Sequence, residues 1–168
     1  MALSLFCSHF VELATLMPLI LTPEYLGQRL VSLTSTAIVL LVFVTLKYTR
    51  TVDVIRTIIE KFIAALDFKI EDYYNHLFEN GKVARIHPVA LVRAKNLEKE
   101  LPKDKTVKDI VDFYVHLKKV YNAEYRAKEE YRKNVTLVTH EEDIIIPRLK
   151  EYSELLKDYI IYFEELKS

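Results

Sequence analysis

The chain has 168 residues, with 24 basic and 24 acidic side chains and a formal net charge of zero. The basic residues are not clustered in the way that phosphate neutralisation requires, which argues against nucleic-acid binding. A single cysteine excludes an internal disulfide framework and a cysteine-based zinc site, and two glycines can scarcely build a phosphate-binding loop. With only five prolines besides, the composition predicts long uninterrupted helices and an all-α fold.

The charged residues are distributed unevenly along the chain. Only three of them precede Lys47, whereas the remainder of the sequence is densely charged and rich in tyrosine. This distribution predicts two parts: a hydrophobic anchor over residues 1–48 and a charged helical domain over residues 49–168. A single glutamine beside abundant ion-pairing residues resembles the composition of proteins from organisms that grow hot. It indicates a thermophilic archaeon, or a virus of one, as the source.

The anchor is predicted to be a helical hairpin in the membrane. Leu30 to Leu46 is uncharged over 17 residues, at the short end of the about 17–25 that a spanning helix needs. Arg29 and Lys47 can extend their charges to the two membrane interfaces. Residues 1–22 form a second apolar segment, with the turn of the hairpin near residues 22–29. A buried core helix stays open as the alternative for the span, as does an interfacial position for residues 1–22.

Basic residues indicate the orientation of this anchor. Lys47, Arg50 and Arg56 follow the predicted span, and the positive-inside rule then places the C-terminal domain in the cytoplasm. The glycosylation sequon Asn134–Thr136 indicates the opposite side. The charges favour a membrane localisation with a cytoplasmic domain.

Glu12 is the candidate functional residue within the anchor. It shares one helical stripe with Ser4, Ser8 and Thr15. An intramembrane carboxylate is costly, so it indicates proton or ion transfer or contact with a partner subunit. The alternative is a helix at the interface, in which Glu12 meets water.

A bundle of about four helices is predicted after the anchor, from the spacing of apolar residues by three and four. The helices run from about Thr49 to Glu79, Pro88 to Leu101, Val107 to Lys133, and Pro147 to Lys167. The apolar stripe of the first consists of Val52, Ile55, Ile59, Phe62, Leu66, Ile70, Tyr73 and Leu77. The stripe of the third contains Ile110, Tyr114, Leu117 and Tyr121, and that of the last contains Leu149, Tyr152, Leu156, Tyr159, Phe163 and Leu166.

Two short segments of this domain carry turn and cap signals. Thr106 to Asp109 has the spacing of a capping box at the start of the third helix. Residues 134–146 are predicted to form an irregular or extended connector, with a small β-hairpin over 135–146 as an alternative. Thr139 and Glu142 have capping spacing too, and a helix could begin there instead.

A repeated pattern suggests a metal site. Asp72 and His76, and again Asp112 and His116, stand four residues apart within D-aromatic-Tyr-x-His-Leu. Two such helices facing each other could offer two carboxylates and two imidazoles to a transition metal. Tyr74 and Tyr114 would then line the site, and Glu141 or Glu142 could assist. The alternative is two surface Asp–His contacts.

These patterns favour a membrane-anchored interaction or assembly protein over an enzyme. No motif of a hydrolase or a metalloprotease is found, and no catalytic residue or cofactor is assigned. The expected partners are membrane lipid and other protein subunits or further copies of the chain, without nucleic acid. The alternative is a membrane-associated metal-binding protein with a helical bundle.

Overall fold

The computed structural model describes residues 49–167. The predicted anchor over residues 1–48, its hairpin and the candidate Glu12 lie outside the described residues. Within them, none of the helices is long and apolar enough to cross a membrane.

The described part is mostly helical and carries one small antiparallel sheet. Its elements are α1 (Val52–Glu79), α2 (Ala90–Glu100), α3 (Lys105–Asn122), β1 (Tyr125–Lys128), β2 (Thr136–Thr139), β3 (Asp143–Ile145) and α4 (Ile146–Lys167). The predicted helical bundle is thereby confirmed. The β-hairpin alternative for residues 135–146 is present as β2 and β3, so the favoured irregular connector is wrong there.

Helix α1 is the central element, because it packs against the other three helices and β2. All eight residues of its predicted apolar stripe are buried, which confirms the spacing argument. The helix ends where the sequence predicts: Asn80 follows its last turn, and Gly81 has a φ of 68°, which glycine adopts without a steric penalty.

The cap of α3 differs from the prediction. The side chain of Asp104 accepts hydrogen bonds from the backbone N–H groups of Thr106 and Val107, at 2.9 and 3.2 Å. The capping box predicted for Thr106 to Asp109 is therefore wrong, since the helix already begins at Lys105.

The far end of α3 also differs, because the helix stops at Asn122 and not at Lys133. Ala123 has a ψ of 150°, which turns the chain into an extended conformation. The residues that follow form β1, which pairs with β2 in antiparallel register from Tyr125 opposite Thr139 to Lys128 opposite Thr136.

β2 is the middle strand of the sheet, with β3 on its other side. β2 is rich in β-branched residues, and its first half is buried, so it supplies the surface on which both neighbours pair.

Helix α4 closes the bundle by packing along α1. It begins at Ile146, one residue before the predicted start, and Pro147 is tolerated because the first N–H groups of a helix have no intrahelical acceptor. Four residues of its predicted stripe are buried and two are partly buried. The buried ones are Leu149, Tyr152, Leu156 and Phe163, and the partly buried ones are Tyr159 and Leu166.

Candidate functional site

Three side chains meet around the carboxylate of Glu142. Together the four residues form what we name the Glu142 cluster: His116, Glu142, Arg148 and Tyr152. His116 Nε2 lies 2.8 Å from Glu142 Oε2, and Arg148 Nε donates to Glu142 Oε1 at 2.7 Å. The Tyr152 hydroxyl donates to Glu142 Oε2 as well. Since an ionised carboxylate only accepts, His116 Nε2 carries its proton towards Glu142 in this arrangement.

The backbone of Glu142 is fixed independently of its side chain. Thr139 Oγ1 accepts from Glu142 N at 3.0 Å and donates to Glu142 O at 2.7 Å. The predicted capping pair Thr139 and Glu142 therefore does interact, but it closes the turn between β2 and β3 and does not start a helix. The carboxylate is presented to α3 and α4 from that closed turn.

Hydrogen bonding dominates the electrostatics of the cluster. Burial alone would raise the pKa of Glu142, but hydrogen bonds from Tyr152, His116 and Arg148 outweigh burial and hold the pKa below its ordinary value of 4.5. Burial and the hydrogen bond to Glu142 raise the pKa of Tyr152, so its hydroxyl stays protonated. The guanidinium of Arg148 also lies 4.8 Å above the Tyr152 ring and pairs with Glu151.

These contacts limit the chemistry that the cluster can perform. A general base or metal ligand needs an accessible lone pair, and three donors already use three of the about four lone-pair positions of the Glu142 carboxylate. The contacts join the sheet to two helices.

The other residues predicted for a metal site lie in different surroundings. Asp72 is paired with Lys167 of α4. His76 Nε2 accepts from the Asn80 side-chain amide at 3.1 Å, and Asp112 is exposed on α3. Over residues 49–167, no group of three or more His, Cys, Asp or Glu side chains is arranged to hold a metal ion.

Each predicted histidine thus has a partner other than the aspartate four residues before it. Glu142, named only as an assisting residue, is the partner of His116. Metal binding by Asp72, His76, Asp112 and His116 stays a prediction, for which the structure offers no assembled set of ligands among the described residues.

A second polar network joins α1 to α4. The ammonium group of Lys69 is almost fully buried and pairs with Glu164, which also lies 3.5 Å from Lys167 Nζ. Lys167 in turn pairs with Asp72. The hydrogen bonds from Lys69 and Lys167 outweigh burial and lower the pKa of Glu164.

The exposed face of α1 carries apolar side chains. Phe68 is 42% exposed and Phe78 is 51% exposed. Ala64, Phe68, Glu71, Asn75 and Phe78 are spaced by four, three, four and three residues and are exposed, so they form one outward stripe. We name it the outer stripe of α1.

The start of α2 lies beside this outer stripe. The Arg93 guanidinium donates to Glu71 at 2.9 Å and to the carbonyl oxygens of His87 and Pro88. These two carbonyl groups belong to the turn before α2, and the exposed Val89 follows it directly.

No protein-family model matches the chain, nor does any curated protein or solved structure with which it was compared.

Sequence reasoning singled out His116 but missed Arg148 and Tyr152 as the other residues that contact Glu142. Tyr152 was assigned to the apolar stripe of α4, where its ring does pack, at 5.2 Å from the ring of Phe113. No local pattern reveals that its hydroxyl reaches a turn ten residues earlier.

Proposed function

We propose that the protein is a membrane-anchored helical interaction or assembly protein. The hydrophobic segment from Leu30 to Leu46 would fix it in the membrane, and the helical domain would bind a partner subunit or further copies of the chain. An accessory subunit of a membrane complex and a structural protein of an archaeal virus both fit this description.

The outer stripe of α1 is the observation that carries the proposal. Phe68 and Phe78 expose about half of their surface on the same face of one long helix. Aromatic residues are enriched in the buried centres of protein interfaces. Fully burying an exposed phenylalanine contributes roughly 1.5–3 kcal/mol, so covering the exposed half of each of these two would contribute about half of that per residue.

The two polar networks also support an interaction protein, because their charged groups form hydrogen bonds and ion pairs with one another. Glu142 has three donors and Glu164 has two lysines. Such groups stabilise a rigid scaffold that presents its helices to a partner.

Light scattering on the full chain, purified in detergent, tests the proposal. We expect a mass above that of the 19.7 kDa monomer, and we expect Phe68→Glu with Phe78→Glu to reduce it to the monomer. Ile161→Glu is the matched control, because it introduces the same charge at an exposed apolar position on α4.

Two outcomes would overturn the proposal. An unchanged mass in the Phe68 and Phe78 variant would show that the outer stripe does not assemble the protein. A stoichiometric transition metal in the same sample, lost in His76→Ala with His116→Ala, would favour the metal-binding alternative.

A further inference from the structure

The loop between β1 and β2 holds an aromatic side chain away from the protein. Tyr131 is 79% exposed, more than any other large hydrophobic residue that the structure describes. Two residues of this loop, Glu129 and Tyr131, have φ values of 53° and 63°, in the left-handed region that side chains other than glycine rarely adopt. We name residues 129–133 the Tyr131 loop.

The Tyr131 loop is fixed to the first residues of the domain. Tyr131 N donates to Arg50 O at 2.7 Å. Val52 N donates to Glu130 Oε1 at 3.2 Å, so Glu130 caps α1 from 78 residues away, where Thr51 provides no side-chain cap. The strained backbone is therefore held in place by contacts with the start of α1.

Backbone strain that the surrounding structure maintains is concentrated at functional sites in proteins. Here it keeps a tyrosine ring in solvent, where the ring loses the stabilisation that burial would provide. An exposed ring on a fixed loop is suited to contact with something outside the domain.

The position of the loop along the chain identifies what it would contact. Arg50 follows Leu46, the end of the predicted span, by four residues. Four extended residues reach at most about 14 Å. The loop attached to Arg50 would therefore lie close to the membrane surface if the span is inserted.

The chemistry of the loop fits an anionic membrane surface. Lys128, Arg132 and Lys133 are exposed around Tyr131. Glu129 is an exposed acid among them, while the Glu130 carboxylate is engaged at Val52 N. Tyrosine is enriched at membrane interfaces, and lysine and arginine near the membrane attract anionic headgroups.

We propose that the Tyr131 loop rests on the membrane, with the Tyr131 ring among the headgroups and Arg132 and Lys133 paired with anionic phospholipid. This proposal rests on the membrane anchoring in the proposed function. It adds a second membrane contact that fixes the orientation of the helical domain relative to the bilayer.

Tryptophan fluorescence on the full chain tests the proposal. The sequence contains no tryptophan, so Tyr131→Trp introduces a single reporter. The variant is reconstituted in phosphatidylcholine vesicles, with or without phosphatidylglycerol, whose acyl chains are brominated near the headgroup. We expect loss of Trp emission through bromine quenching, a larger loss with phosphatidylglycerol, and a smaller one after Arg132→Gln with Lys133→Gln.

Ile161→Trp is the matched control, because residue 161 is exposed on α4 and lies outside the outer stripe of α1. It lies three residues before Glu164, which pairs with Lys69. Lys69 is about 25 Å along α1 from its first residue, Val52, at 1.5 Å per residue. We expect no quenching at this position, and an unchanged circular dichroism spectrum in every variant shows that the fold is kept.

The outcomes separate this proposal from the anchor. If the full chain fails to float with vesicles in a density gradient, the anchor itself is wrong. If it floats but emission at position 131 is quenched no more than at position 161, the loop contact is wrong while the anchor stands. If quenching at position 131 is equal in vesicles with and without phosphatidylglycerol, the proposed pairing with anionic headgroups is overturned.

Discussion

Glu142 accepts hydrogen bonds from α3 and α4, while its own backbone belongs to the turn between two strands. Replacing it by glutamine removes the charge but keeps the shape. We expect Glu142→Gln to lower the free energy of unfolding by about 1.5–3 kcal/mol, the range for hydrogen bonds to charged groups. Urea unfolding of the full chain in detergent, followed by circular dichroism, measures this change.

The adjacent residue provides the control for this prediction. Glu141 is exposed and pairs only with the neighbouring His140 among the contacts described, so Glu141→Gln should change stability by less than about 0.5 kcal/mol. Equal effects of the two substitutions would show that the three donors around Glu142 contribute nothing.

The lowered pKa of Glu142 makes part of this stability depend on pH. Its folded pKa lies below the ordinary value of 4.5. The stabilisation is therefore complete above the unfolded pKa and is lost as pH falls through the folded pKa. We expect the difference in melting temperature between wild type and Glu142→Gln to be largest near neutral pH and to shrink below pH 4.5. A difference that grows on acidification would contradict the assigned direction.

At the level of single residues, the sequence groups His116 with Asp112, whereas the structure places hydrogen-bonding groups from other elements beside this histidine. The spacing of Asp112 and His116 is local and visible, whereas Glu142 lies 26 residues and Tyr152 lies 36 residues from His116. Contacts between separate elements depend on how α3, α4 and the sheet pack together. No periodicity within one helix encodes that arrangement.

An ion pair joins helices α1 and α4, and its ammonium group is buried in the core. Lys69 is 1% exposed and pairs with Glu164. We expect Glu164→Ala to lower the free energy of unfolding by about 1–3 kcal/mol, because it removes the partner of a buried ammonium group. This is less than the roughly 3–5 kcal/mol for a fully buried pair, since the Glu164 side chain is 43% exposed.

Two further variants make this prediction specific. Glu154→Ala removes the same group from an exposed pair with Lys157 on the same helix, and should change stability by less than about 0.5 kcal/mol. Lys69→Met replaces the charge by an apolar group of similar shape and should be nearly neutral. A larger loss in Lys69→Met than in Glu164→Ala, again by urea unfolding, would contradict this account.

Among the elements, α1 was predictable and the end of α3 was not. The α1 stripe recurs over eight buried positions and meets a glycine stop, so local pattern and packing agree. The residues of β1 are all exposed and show no alternation between buried and exposed positions. Their charged sequence is typical of an exposed helix, and they become a strand because β2 offers its backbone for pairing.

For the whole molecule, α1 organises three surfaces. Its inner stripe forms the core, its outer stripe exposes Phe68 and Phe78, and its first residues hold the Tyr131 loop. This helix of 28 residues would separate the proposed membrane contact at one end from the proposed protein contact along its length. The two polar networks keep α1 fixed against α4 and the sheet against the bundle.

The same arrangement predicts how the protein responds to metal ions. A ligand that binds only the folded state raises stability, by about 2.7 kcal/mol at one hundred times its dissociation constant. Asp72 and His116 are engaged with Lys167 and Glu142, and His76 with Asn80, so a metal would first have to break these contacts. We expect the melting temperature of the full chain to be unchanged by EDTA and by added Zn²⁺ or Ni²⁺, measured by circular dichroism. A rise with metal that disappears in His76→Ala with His116→Ala would instead show that the two helices rearrange around a shared site.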